Sequence, residues 1–225
     1  MRTTTSRPIP LALTALIAFF SALTALAVSN GHDAHAHELA PTAAITPKEL
    51  ALRNGMRALW EDHVTWTRLA VISLLDDAPD TNATVGRLLR NQRDIGNAIK
   101  PFYGAAAGNA LTAELRKHIL IAADLIAAAK AGDQARLKAE QARWEQNADD
   151  IAALLSRANP TEWKRAAVRA MLHEHLRLTT QEVVARLKRN WPADVAAYDR
   201  IHRHALGMAD TLSTGLIAQF PGRFH

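Results

Sequence analysis

From residue 47 onward the chain is a succession of long stretches in which alanine and leucine alternate with charged and amide side chains. Short breaks rich in proline, glycine, aspartate and asparagine separate them. Period-two runs of valine, isoleucine and threonine, the mark of strands, are missing. Thr46-Pro47-Lys48-Glu49 reads as a capping box with proline at the first helical position. It opens a helix that runs to about Leu75 and stops at Asp76-Asp77-Ala78-Pro79. A second helix is expected from Thr81 to Lys100-Pro101. The linker Phe102-Tyr103-Gly104 leads through Gly108-Asn109 into a third that ends at Gly132. Asp133 caps a fourth, to about Arg157. Asn159-Pro160-Thr161-Glu162 opens a fifth, and Trp191-Pro192 separates it from a sixth that ends before Pro221. The expected fold class is all-α, a six-helix antiparallel bundle made of three helical hairpins.

The first residues break this pattern. Arg2 and Arg7 precede an apolar run from Ile9 to Val28, with small residues at Ala25, Ala27 and Ser29. Residues 1–29 therefore read as a secretory signal peptide, with cleavage before Asn30 or before Val28. The competing reading is an uncleaved anchor, since the run approaches the roughly 20 residues that span a bilayer. After cleavage no stable membrane span is expected. Residues 30–46 read as a flexible tail, and the bundle domain as 47–225. Cleavage before Asn30 would leave Asn30-Gly31-His32 at the new terminus. There a free amine, two amides and the His32 imidazole form a nitrogen set suited to Cu(II) or Ni(II). His35 and His37 follow.

Composition narrows the chemistry. The chain has 225 residues, 48% of them hydrophobic, and no cysteine, which excludes disulfides, thiolate metal sites and cysteine nucleophiles. An exported bundle without disulfides must be held by packing. Removing Arg2 and Arg7 from 27 basic residues leaves 25 against 22 acidic, a net of +3. Those charges form no block, so a nucleic-acid partner is not expected.

A weak internal repeat of about 56 residues brings in candidate chemistry. His63, His118 and His175 stand in the odd helices, 55 and 57 residues apart. In the even helices arginine and aspartate recur seven apart, as Arg87 with Asp94, Arg143 with Asp150 and Arg203 with Asp210. Arg87 and Arg143 are each followed four residues later by asparagine, Asn91 and Asn147, with Gly207 at the third position. Seven residues is close to two helical turns, so each pair shares a face that a histidine of the partner helix could meet. One reading has aspartate orienting histidine and arginine neutralising aspartate in a buried polar cluster that fixes helix register. The other gathers His63, His118 and His175 around one metal ion, with Asp94, Asp150 and Asp210 as supporting partners or ligands. Three imidazoles with an open position suit zinc, copper or iron.

The densest local cluster is His173-Glu174-His175 with Glu182 on the fifth helix and His202 and His204 on the sixth. Trp60, Trp66, Trp144, Trp163 and Trp191 are candidates for either core packing or a ligand pocket. No His-Glu-x-x-His, nucleophile elbow, phosphate loop or dinucleotide fingerprint occurs, so nothing argues for an enzyme.

Three stretches carry a resemblance: Leu59-Trp60-Glu61-Asp62-His63-Val64-Thr65-Trp66-Thr67-Arg68, the segment Arg87 to Pro101 (RLLRNQRDIGNAIKP), and Gln219-Phe220-Pro221-Gly222-Arg223-Phe224. Over about residues 50 to 224 the sequence resembles an uncharacterised family of small bacterial exported helical proteins. The resemblance implies a helical fold and a bacterial source. Members sometimes carry a glycosyltransferase label, which this sequence does not support: it has no nucleotide-sugar fold and no Asp-x-Asp. The family supplies no site residue. The expected function is thus a non-catalytic binding protein, exported to the periplasm or beyond, that takes a transition metal. The alternative is a structural or protein-interaction module of the envelope with no ligand.

Overall fold

The computed structural model describes residues 44–225, and every described element is helical. The expected leader at 1–29 and the tail with His32 lie outside the described residues. Five α-helices follow one another: α1 (Pro47–Asp76), α2 (Thr81–Ala131), α3 (Gln134–Ala158), α4 (Arg165–Leu187) and α5 (Trp191–Gln219). A single 3₁₀ turn, Pro221–Arg223, comes after them. Among the described residues no helix is long and apolar enough to cross a membrane.

Helix starts follow local chemistry. In α1 the Thr46 hydroxyl accepts from the Glu49 amide (3.2 Å) and the Glu49 carboxylate accepts from the Thr46 amide (2.8 Å), so two orphan donors are satisfied at once. Asp133 accepts from the Arg136 amide at the head of α3 (3.0 Å), and Asn190 accepts from Ala193 at the head of α5 (3.2 Å).

Two boundaries depart from the sequence reading. The second and third expected helices fall within one element, α2, as two helical arms either side of a kink, and the first arm runs on past Pro101. The reversal is concentrated in one residue, Gly104, with φ 81° and ψ 171°, a conformation a side chain would strain. The two arms of α2 lie against each other: a Cβ on Gly96 would meet the Thr112 hydroxyl at 2.0 Å, and Leu88 shares an apolar cluster with Ile119. The second departure is α4, which begins at Arg165 and not at Pro160. Residues 160–164 form a turn that points Trp163 inward, 1% exposed, onto the bare Cα of Gly215. Burying that indole outweighs an earlier helix start.

Consecutive helices pack on each other, and α5 also packs on α1, so the elements close into a ring. One end is stitched where the two ends of the described chain meet. The Thr46 hydroxyl donates to the Phe224 carbonyl (2.7 Å), and Phe102 packs on Phe220 and Phe224. Towards the other end of α1, Arg68 bridges Glu182 of α4 (2.7 Å) and Asp194 of α5 (2.8 Å), and Arg186 joins Asp194 (3.3 Å) to Asp76 (2.9 Å). Burial raises the Glu182 pKa and the Arg68 guanidinium opposes that rise. Between these ends runs the main core, to which every helix contributes, including Trp60, Ile95, Leu115, Trp144, Ile151, Leu172 and Leu212.

Candidate functional site

In each odd segment of the ring a histidine faces the axis, because it falls at helical spacing with the buried residues before it: Met56, Trp60 and His63; Leu111, Leu115 and His118; Val168, Leu172 and His175. The rings meet in the core. His175 lies between the other two, its centroid 5.7 Å from that of His63 and 6.0 Å from that of His118. Burial lowers the pKa of all three. His63 and His118 fall to about 4, a hydrogen bond to Asn91 and to Asn147 respectively offsetting part of the drop, and His175 falls well below 6.5. All three are neutral imidazoles at neutral pH.

Their partners are amides, and the contact pattern recurs around the ring. Asn147 Nδ2 donates to the Glu114 carbonyl (3.2 Å), one turn before His118, while Asn147 Oδ1 sits 2.9 Å from His118 Nδ1. Asn91 Nδ2 donates to the Leu59 carbonyl (3.0 Å), one turn before His63. His63 Nδ1 lies 3.2 Å from the neighbouring Gln92 amide. The third time, the Met171 carbonyl one turn before His175 receives its bond from His204 Nε2 (3.0 Å). The residues in the clamp role are thus Asn91, Asn147 and His204, 56 and 57 residues apart, close to the 55 and 57 of the histidines.

This substitution leaves the three histidines unequal. His118 is saturated: Nδ1 faces Asn147, and Nε2 accepts from the Trp144 indole (3.1 Å). Only the tautomer with its proton on Nδ1 serves both contacts. His175, whose clamp is a histidine turned to a carbonyl, has no hydrogen-bond partner at Nδ1. It borders a cavity of about 50 Å³ lined by apolar side chains, the three histidines and Gln92. Trp60 Nε1 and Gln92 Oε1, also on the lining, are likewise unpartnered. At roughly 10–15 Å³ per water, the space fits a few waters or one ion. It is well short of the about 150 Å³ that admits a benzene-sized molecule.

The expected aspartates are elsewhere. Asp210 forms a two-point ion pair with Arg57 (2.6 Å) on the surface. Asp150 takes Gln146 (3.0 Å) and Lys117 (3.7 Å), and Asp94 is half-buried without an ion pair among the described residues. Of the arginines, Arg87 pairs with Asp62 and lies over Trp66, Arg143 pairs with Glu140, and Arg203 is exposed. The buried histidine–aspartate–arginine clusters expected from the sequence are therefore not what closes the hairpins. The inward positions are Leu88, Asn91, Gln92, Ile95 and Ile99, and residues 87 and 94 flank that face, where charges keep their water. His173 pairs with Asp149 (2.7 Å) and His202 with Glu61 (2.8 Å), both away from the chamber. Among the described residues no three histidine, aspartate or glutamate side chains have the geometry to hold a metal ion.

The sequence reading missed Asn91, Asn147 and His204 as histidine partners. The signal was present in their spacing, but the surface residues Arg203 and Asp210 drew the third unit three residues out of register. No family model, no curated protein and no solved structure matches this chain.

Proposed function

We propose that this chain is an exported, non-catalytic binding protein, made of three related hairpins, whose cargo is a transition-metal ion taken into the core chamber. The observation that carries the reading is His175: a neutral imidazole, 5% exposed, with an unpartnered nitrogen on the wall of a cavity the size of an ion and its immediate surroundings. A buried polar atom left unpaired costs about 1–3 kcal/mol, and a binding site is one reason for a fold to carry that cost. Among the described residues the chamber lining has no carboxylate and no nucleophile–base pair to do chemistry on a substrate.

A second reading, a ligand-free architectural module with water in the chamber, is favoured by the complete hydrogen bonding of His118. Elemental analysis separates the two. The full chain is purified from its native envelope without a tag, with His32, His35 and His37 replaced by alanine. Near-stoichiometric metal that disappears on His175→Leu is the expected result. A metal-free protein whose melting temperature is indifferent to added copper, zinc and iron overturns it in favour of the architectural module.

A further inference from the structure

Two of the three histidines expected to form a site already have partners within the chain. Trp144 occupies the acceptor nitrogen of His118, and the Gln92 amide lies 3.2 Å from Nδ1 of His63. Among the imidazoles on the wall, His175 is the one with a buried nitrogen recorded without a partner, and the unpaired Trp60 and Trp163 indole nitrogens are N–H donors that cannot ligate, so any ion in the chamber must draw further ligands from other atoms.

Besides the unpartnered Gln92 Oε1, the other donors on that wall are sulfur. Among the described residues there are three methionines, Met56, Met171 and Met208, and all three line this one chamber. Met171 stands one helical turn before His175. Met208 stands one turn after His204, whose ring is 6.2 Å from that of His175. A bundle has the whole of its core in which to spend three methionines, and leucine fills interior space with better-defined rotamers. Their concentration around the unpaired imidazole is the observation that points to a ligand. Thioethers are soft, uncharged donors and bind poorly to hard or borderline divalent ions, while Cu(I) takes them readily. Electrostatics agrees: no aspartate or glutamate faces the cavity to neutralise a divalent charge, so a monovalent ion is least costly to bury.

We infer that the chamber is a Cu(I) site in which His175 Nδ1 and the thioether sulfurs of Met171 and Met208 are the ligands, Met56 closing the wall. This rests on the metal-binding reading above and specifies its ion. Binding is simple ligation: Cu(I) enters and leaves as Cu(I), and no electron or proton is transferred to a neutral imidazole nitrogen or a thioether.

The test is an anaerobic titration of the full chain, carrying His32, His35 and His37 as alanine, with Cu(I) in competition with bicinchoninate. A parallel titration uses Zn(II). One Cu(I) per chain is expected, with both sulfur and nitrogen scatterers in its X-ray absorption spectrum. The Met171→Leu/Met208→Leu double variant, close in volume, should keep its melting temperature without metal and weaken Cu(I) by about tenfold or more. Cu(I) binding that is unchanged in that variant, or tighter Zn(II) held by nitrogen and oxygen alone, overturns the ligand assignment while leaving a metal-binding protein. Failure of both ions to bind a folded chain overturns both readings.

Discussion

The His118 and His175 regions start from the same layout and end in opposite states. Each histidine projects from an odd segment into the core, 5% exposed, with its pKa driven down by burial. Across from His118 the even segment offers Asn147 and Trp144, and both ring nitrogens are satisfied. Across from His175 it offers His204, which spends its Nε2 proton on the Met171 carbonyl, and Nδ1 of His175 is left unpaired. An asparagine has both a donor and an acceptor on one short side chain, so it can clamp a carbonyl and a histidine together. Histidine in the same place manages the carbonyl alone. One exchange in a repeated contact is enough to turn a structural residue into an available one.

The broadest way to break this comparison is acid. A histidine whose folded pKa lies near 4 binds its proton more readily in the unfolded chain, where the pKa is about 6.5. Above pH 6.5 both states are neutral and His63 and His118 add no pH dependence. As pH falls from 6.5 to about 4 the unfolded state is favoured progressively, by up to about 1.4 kcal/mol per pH unit for each group, and below that the effect levels off. Urea unfolding across this range should show a loss of several kcal/mol. A flat profile would mean that protons and water reach the rings in the folded protein.

The same titrations at neutral pH put the two regions against each other. His118→Ala strands the Trp144 N–H and the Asn147 carbonyl oxygen beside a new void and should cost about 3–5 kcal/mol. His175→Leu removes an unpaired atom and should change apo stability by no more than about 1 kcal/mol. Equal losses would show that His175 has a structural partner and would dissolve the distinction. The smallest contrast sharpens it. Asn147→Ala should cost about 1–3 kcal/mol, whereas His204→Asn, which rebuilds the clamp of the other two units, should stay within about 1 kcal/mol of wild type and lower the Cu(I) affinity by occupying His175.

The sequence was readable where local chemistry decides and unreadable where packing does. The caps at Thr46 and Asp133 act through neighbours three residues away, and the helices they open start at Pro47 and Gln134. The break expected at Phe102-Tyr103-Gly104 falls where Gly104 turns the chain, but the helix runs past Pro101, where it was expected to end, and resumes directly after Gly104. The start of α4 depended on Gly215, 52 residues beyond Trp163, which no local pattern reveals. Of the candidate site, the three histidines were found and do meet. Their expected partners were charged, since charge recurs conspicuously in sequence, whereas the partners that matter are amides and an indole. The chamber and its three methionines were out of reach, since a cavity is what remains after every side chain has been placed.

The closure of α5 onto α1 carries a consequence for how this architecture comes apart. Stacked repeats arranged in an open line have two terminal units with only one neighbour each, and they fray from those ends inward. Here Thr46 and Phe224 are joined, Arg68 ties α1 to α4 and α5, and each helix has a neighbour on both sides. Unfolding then has no preferred place to begin and must breach two interfaces at once, which makes the transition all-or-none instead of sequential. The same adjacency makes the order of the hairpins a matter of connectivity more than of shape. A chain rejoined across that seam and opened at the turn Asp77-Ala78-Pro79 would enclose the same chamber with the same residues around it.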